Sequence, residues 1–285
     1  MTVLFFCVGA AKAGTSWLHR QLSTHPECDF RAIKELHYFD ALENGRLDRQ
    51  IAHHQSQQLE LQARLMERGV SPNASQQKRL KDRAEWLEVL ERGGDEVAYV
   101  DYLTRDAEAG QVVADMTPAY ALLPTERLAR MARLGPDVRM LFLMRDPIER
   151  LWSHIRMIAA RRDESGKVTA RRCENILDRV FSGAEEQIAN RSDYAGALRR
   201  LAVVGERLMV EVFEDMVAGP GFQRICAFLG IAPRAVDLAP VHVGQDLPMT
   251  DEQRRAAAKY LAPQYDAAEH YFGSIPEAWS RKGRG

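Results

Sequence analysis

The residues best suited to chemistry stand at the start of the chain. Val3-Leu4-Phe5-Phe6-Cys7-Val8 is a short apolar run rich in strand formers. Gly9-Ala10-Ala11-Lys12-Ala13-Gly14-Thr15-Ser16 follows, and Trp17-Leu18-His19-Arg20-Gln21-Leu22 then has helical spacing. A strand, a loop of small residues with one lysine, and a helix make a cradle for phosphate. Small side chains let backbone N–H groups close on an anion, and the helix N-terminus adds partial positive charge. Lys12 adds a full charge, and Thr15 and Ser16 add hydroxyl donors. The loop of ordinary ATPases places lysine directly after its second glycine, whereas Lys12 precedes Gly14 by two positions. The acid-ended strand that would hold magnesium has one fair candidate, Val112-Val113-Ala114-Asp115. A Gly-rich turn that only packs a helix on a sheet is the plainer alternative.

Two more stretches bear on the choice, Lys34-Glu35-Leu36-His37-Tyr38-Phe39-Asp40 and Leu141-Phe142-Leu143-Met144-Arg145-Asp146-Pro147-Ile148-Glu149-Arg150-Leu151-Trp152-Ser153-His154. In the first, Glu35 and His37 alternate toward one side if the segment is extended; a solvated surface acid is the default for a lone glutamate. In the second, Arg145 ends an apolar strand, where ligands of open α/β sheets collect. Its guanidinium can fork onto a phosphate, with Ser153 adding a hydroxyl; a weak salt bridge to Asp146 or Glu149 is the alternative.

With Lys12-Ala13-Gly14-Thr15-Ser16, these stretches resemble the three signature segments of the PAPS-dependent sulfotransferases. The variant is that of the heparan sulfate sulfotransferases and their bacterial relatives. The likeness continues in collinear order through Asp115-Met116-Thr117-Pro118-Ala119-Tyr120, Phe213-Glu214-Asp215-Met216 and Arg281-Lys282-Gly283-Arg284. It implies an α/β fold, a P-loop-like parallel sheet flanked by helices, as one domain over 1–285 with a helical insertion at about 45–95. It implies transfer of a sulfuryl group from PAPS to an acceptor hydroxyl or amine, with a carbohydrate favoured as acceptor.

The resemblance also assigns roles. Glu35 is the expected general base, with His37 orienting or polarising nearby. Lys12 is expected to stabilise the leaving oxygen, and Ala13, Gly14, Thr15, Ser16 and Trp17 to complete the donor cradle. Arg145 and Ser153 are expected on the 3′-phosphate, joined by Tyr194 and by a Lys282-Gly283-Arg284 loop over the phosphates. No metal is required, since side chains and backbone meet the donor's charge. Relatives often carry a Glu-Lys-Ser-Pro type sequence where this chain has Met116, so one basic group is missing. The competing reading is a P-loop nucleotide or small-molecule kinase using ATP and magnesium.

These residues need elements to position them. Helices are expected over Trp17 to Thr24, Asp48 to Arg68, Gln77 to Glu91, Pro124 to Leu134, Cys173 to Ile188, Tyr194 to Val204 and Phe222 to Leu229, the last with Gly230 at C′. Val97 to Ala107 is ambiguous. Strands are expected at Gln111 to Asp115, Val138 to Met144 and Arg207 to Phe213. Asp146-Pro147 starts a helix, Arg161 to Arg172 reads as a mobile loop, and Thr250-Asp251-Glu252 caps a last helix that continues to Tyr271.

At 285 residues and 46% hydrophobic content the chain can bury one full core. With 39 basic against 40 acidic residues it has no global pull toward nucleic acid or membrane, so an anion site must be local. Four cysteines lack metal spacing and fit a reducing compartment. The adjacent His53 and His54 face different sides of a helix and form no metal pair. No stretch approaches the ~18 apolar residues of a membrane span, and the N-terminal run reads as a strand. A soluble, cytoplasmic protein of open oligomeric state is expected.

Overall fold

The computed structural model describes residues 1–237, 239 and 247–280. Four parallel strands form a sheet in the order β2-β1-β3-β4: β1 Val3–Gly9, β2 Val112–Asp115, β3 Val138–Met144 and β4 Leu208–Val212. Every residue of β1 is buried. A central parallel strand is covered on both faces, which is why it reads as an unbroken apolar run. Register pairs Phe6 with Asp115 on one side and with Met140 on the other, and Met144 with Val212. The C-terminal ends of all four strands therefore line one edge. Chain connections leave β1 and β3 in opposite directions, so the crevice between these two strand ends is the switch point where α/β sheets bind ligands.

The first half carries α1 Thr15–Leu22, α2 Tyr38–Glu43, α3 Leu47–Glu67, α4 Ala74–Glu91, α5 Glu96–Thr104 and α6 Thr125–Met131. The second half carries α7 Pro147–Arg161, α8 Ala170–Phe181, α9 Glu186–Asn190, α10 Tyr194–Leu201, α11 Phe213–Ala218, α12 Pro220–Leu229, α13 Asp251–Tyr260 and α14 Ala262–Phe272. α3 and α4 pack on each other in the stretch expected as the insertion. α4 begins with a capping box between Asn73 and Gln76 and α13 with one between Thr250 and Gln253, each reciprocally satisfying two helix-end donors. Gly230 ends α12 at φ 67°. A second, smaller apolar core joins α7, α8 and α13 through Leu151, Ile155, Leu177 and Ala257. No helix among the described residues is long and apolar enough to cross a membrane.

Three local expectations are corrected. The helix expected over Cys173 to Ile188 breaks, because Gly183 adopts φ 80° after α8, a conformation that stops helices. The stretch expected as a loop over Arg161 to Arg172 is helical at both ends, since Arg161 closes α7 and Ala170 opens α8; between them Asp163 accepts from the backbone N–H groups of Ser165 and Lys167, each at 3.0 Å, and pairs with Arg172 at 2.8 Å. The Lys34 to Phe39 segment does not stay extended. His37 turns left-handed at φ 52° and α2 starts at Tyr38. The cause is aromatic packing: Tyr38 stacks on Tyr99 at 4.8 Å, and Phe39 meets Tyr120 edge-on at 5.5 Å, contacts that reward drawing both rings inward.

Candidate active site

The loop after β1 is held open by its own geometry. Gly14 sits at φ 87° and a Cβ there would overlap the Phe213 ring, so only glycine fits. Lys12 is left-handed too, at φ 71°. Lys12 and His37 are the non-glycine residues with positive φ among the described residues, a strain of roughly 1–3 kcal/mol each that concentrates at functional sites. Gly14 caps α1 with backbone alone, without a side-chain bond. The first-turn N–H groups of Thr15, Ser16 and Trp17 therefore remain available to an anion. Ala13 does not join them, because its N–H closes onto the Ala10 carbonyl at 3.1 Å. The Trp17 indole is buried edge-on against Phe222 at 5.9 Å, so only its backbone belongs to the cradle.

β3 delivers Arg145 to the same crevice. Its Nη1 donates to the Lys12 carbonyl at 3.4 Å, and its guanidinium lies 4.9 Å from the Phe213 ring centroid. Its Nε is buried without a hydrogen-bond partner. Neither of the acids that follow it at the start of α7 pairs with it, and Glu214 accepts from Asp146 N at 3.2 Å and from Trp279 Nε1 at 2.8 Å. Asp146 caps α7 by accepting from Glu149 N at 3.0 Å, and Glu149 pairs with Arg254 at 2.9 Å. Among the described residues no carboxylate lies within ion-pair distance of Arg145 or Lys12. Burial first, then the charges of Arg145, Arg161, Arg156 and Lys34, push the Lys12 ammonium below its ordinary range. Lys34 already pairs with Glu35, but Lys12 and Arg145 pair with no carboxylate among the described residues, and two such cations in one crevice ask for an anion.

Ser153 stands two turns into α7, half-buried, with no partner for its hydroxyl among the described residues. Tyr194, expected as a donor contact, stands against the end of β3. Its hydroxyl donates to the Arg145 carbonyl at 2.8 Å and accepts from the Arg145 N–H at 3.1 Å. That hydroxyl is committed to fixing the end of β3. Arg150 is buried beneath the loop, donating to the Ala11 carbonyl at 3.3 Å and to Ser192 Oγ. Lys282, Gly283 and Arg284 lie outside the described residues.

On the other side of the cradle stand Glu35 and His37. His37 Nδ1 is 2.8 Å from Asp40 Oδ2, and its Nε2 is 3.5 Å from Glu35 Oε2. Burial alone would lower the His37 ring. The two carboxylates outweigh it, raising the ring to about 10, so His37 is an imidazolium at neutral pH. Burial alone would raise Glu35; His37 and Lys34 outweigh it and hold the carboxyl at about 2. Lys34 Nζ donates to Glu35 Oε1 at 2.8 Å, and also reaches Thr15 Oγ1 at 3.2 Å and Ser16 Oγ at 3.1 Å.

Asp115 fixes this segment. Fully buried, it accepts from the hydroxyls of Tyr99 at 2.8 Å, Tyr120 at 2.7 Å and Thr117 at 2.6 Å, and from Leu36 N at 3.3 Å. Thr117 Oγ1 in turn accepts from His37 N, and the Tyr120 hydroxyl from Tyr38 N. The acid considered as a magnesium ligand is thus saturated by protein donors. Burial raises its pKa while those donors oppose the rise, and a metal would have to displace them.

The model of the sulfotransferase family matches residues 5–234. This chain belongs to the sulfotransferase family. Sulfuryl transfer is accordingly its reaction class. Among solved structures it is similar to the sulfotransferase from Alicyclobacillus acidocaldarius, at 22% identity and a TM-score of 0.64 over 97% of this chain and 98% of that one. It is also similar to the sulfotransferase domain of the Synechococcus PCC 7002 olefin synthase, at 20% identity and a TM-score of 0.46 over 92% and 94% of the two chains. Among curated proteins none matches.

In this sulfotransferase the residues that sequence reasoning passed over are Lys34, Phe213 and Arg150. Arg150 sits in the quoted α7 segment, and Lys34 stands directly before Glu35; adjacency to the expected base was the one signal available for Lys34. Phe213 opens the quoted Phe213-Glu214-Asp215-Met216 segment, but its ring gains its role only where β4 ends beside Gly14 and Arg145.

Proposed function

We propose that the enzyme transfers the sulfuryl group of PAPS to an acceptor hydroxyl or amine, on a carbohydrate, by in-line displacement. The observation that carries this reading is the pair Lys12 and Arg145. They share one crevice, with no acid within ion-pair distance among the described residues, and an unsatisfied buried Nε on Arg145. A nucleotide with phosphate at both its 3′ and 5′ positions fits that demand. Arg145 and Ser153 would hold the 3′-phosphate; Lys12 and the N–H groups of α1 would meet charge gathering on the leaving oxygen. Glu35 takes the acceptor proton, and the imidazolium of His37 keeps the carboxylate in place through Asp40. α3 and α4 are the insertion, and they wall the acceptor side. The saturated Asp115 counts against the kinase alternative, which needs that acid for magnesium.

The test is calorimetry with adenosine 3′,5′-bisphosphate (PAP) against ATP–Mg. Binding of PAP and neglect of ATP–Mg is expected; the reverse preference refutes the reading. Glu35→Gln should keep PAP affinity within about threefold and lose most turnover with labelled PAPS in a host extract, a loss of about 100-fold or more for a general base. Identification of the labelled product names the acceptor, and a product without sugar removes the carbohydrate.

A further inference from the structure

Lys34 is the residue on which the cradle and the base converge. The three protons of its ammonium are matched by three acceptors: Thr15 Oγ1 at 3.2 Å, Ser16 Oγ at 3.1 Å and Glu35 Oε1 at 2.8 Å. Its side chain is only 19% exposed, and its carbonyl accepts from Met116 N at 3.1 Å, which pins the backbone to the end of β2. A hydroxyl that accepts from Lys34 keeps its own proton free to point at an anion. In-line displacement places the travelling group between the leaving and attacking oxygens. On the reading above, the leaving oxygen rests at the N-terminus of α1 and the attacking oxygen beside Glu35. A single cation hydrogen-bonded to residues at both of those ends lies between them.

We propose that Lys34 is a catalytic residue that binds the oxygens of the sulfuryl group in transit, a role that rests on the PAPS reading. The bond between sulfur and the leaving phosphate oxygen breaks, and its electron pair stays on that oxygen. The bond from the acceptor oxygen to sulfur forms, and the acceptor proton passes to Glu35. Once protonated, Glu35 no longer holds Lys34 by charge, and the ammonium is left to the sulfuryl oxygens. The same exchange answers a difficulty at the base. With Lys34 and His37 against it the Glu35 carboxyl rests at about 2, well below the operating pH that suits a general base. Drawing Lys34 toward the sulfuryl group raises it.

PAP lacks the sulfuryl group and PAPS carries it, so the comparison isolates the contact without a known acceptor. Calorimetry of both nucleotides on the full chain is run for wild type, Lys34→Met and Lys34→Arg. Lys34→Met should weaken PAPS about tenfold or more, the loss of one charge-assisted hydrogen bond, and change PAP less than about threefold. Lys34→Arg should recover part of the PAPS affinity. Equal weakening of the two nucleotides, or weakening of neither, overturns the proposal, since Lys34 would then serve the cradle alone or nothing. Should Lys34→Met fail to fold, Lys34→Gln gives the same comparison with the same expected split. A wild-type protein that binds neither nucleotide overturns the donor reading, and the failure then shows before any substitution is made.

Discussion

Replacing Tyr194 with phenylalanine separates two ways in which this side chain can matter. The ring is fully buried and packs edge-on to Phe142 at 5.9 Å; Tyr194→Phe keeps that packing. What it removes is one oxygen that donates to the Arg145 carbonyl and accepts from the Arg145 N–H. Each buried backbone group left without a partner costs about 1–3 kcal/mol. Arg145 is only half-buried, so water recovers part of this, and a net loss of about 2 kcal/mol is expected. In urea, with a slope of about 3 kcal/mol/M for a domain of this size, the midpoint should fall by roughly 0.7 M. A loosened strand end also frees the guanidinium from the crevice. If about 1 kcal/mol of that disorder must be removed on binding, PAP weakens about fivefold. Urea unfolding followed by tryptophan fluorescence, with calorimetry of PAP on the same preparation, reads both quantities. Weakened PAP with unchanged stability would mean that the hydroxyl touches the nucleotide directly and would refute the route through Arg145. So would a variant indistinguishable from wild type in both.

Asp115→Asn should lower stability by about 2–4 kcal/mol, because four donors lose a charged acceptor, and should reduce turnover more than PAP affinity; an unchanged melting temperature would show that the network does not hold the Glu35 segment. Gly14→Ala should weaken PAP about tenfold or more, since its Cβ drives the Phe213 ring off Arg145, and wild-type affinity would refute that coupling. The ion pairs of the base set a pH window for stability. His37 is raised from 6.5 to about 10, so its contribution is full below 6.5 and is lost as pH rises through about 10. Glu35 is lowered from 4.5 to about 2, so its contribution is full above 4.5 and is lost as pH falls through about 2. His37→Gln should therefore flatten the alkaline limb of the unfolding midpoint against pH, and an alkaline limb identical to wild type would remove His37 from that ion pair.

What the sequence by itself determined is local. An unbroken apolar run followed by small residues, a lysine and a helical period reads as a buried strand, a turn and a helix, because each feature acts within a few residues. Arg145 at a strand end, the Pro147 helix start, the Gly230 stop and the Thr250 cap were legible for the same reason. The tertiary structure decided which groups have their hydrogen bonds already spent. Tyr194 reads as a ligand until its hydroxyl is found on Arg145, 49 positions away. Asp115 reads as a metal acid until Tyr99, Tyr120, Thr117 and Leu36 are found upon it. Lys34 carries no assigned role until the hydroxyls of Thr15 and Ser16, 19 and 18 residues earlier, are found beneath its ammonium. Side-chain type is written in the sequence, but whether a donor or acceptor remains free is fixed by partners that only folding brings within 3 Å, and in this chain that freedom separates the groups that hold the site from those open to an anion.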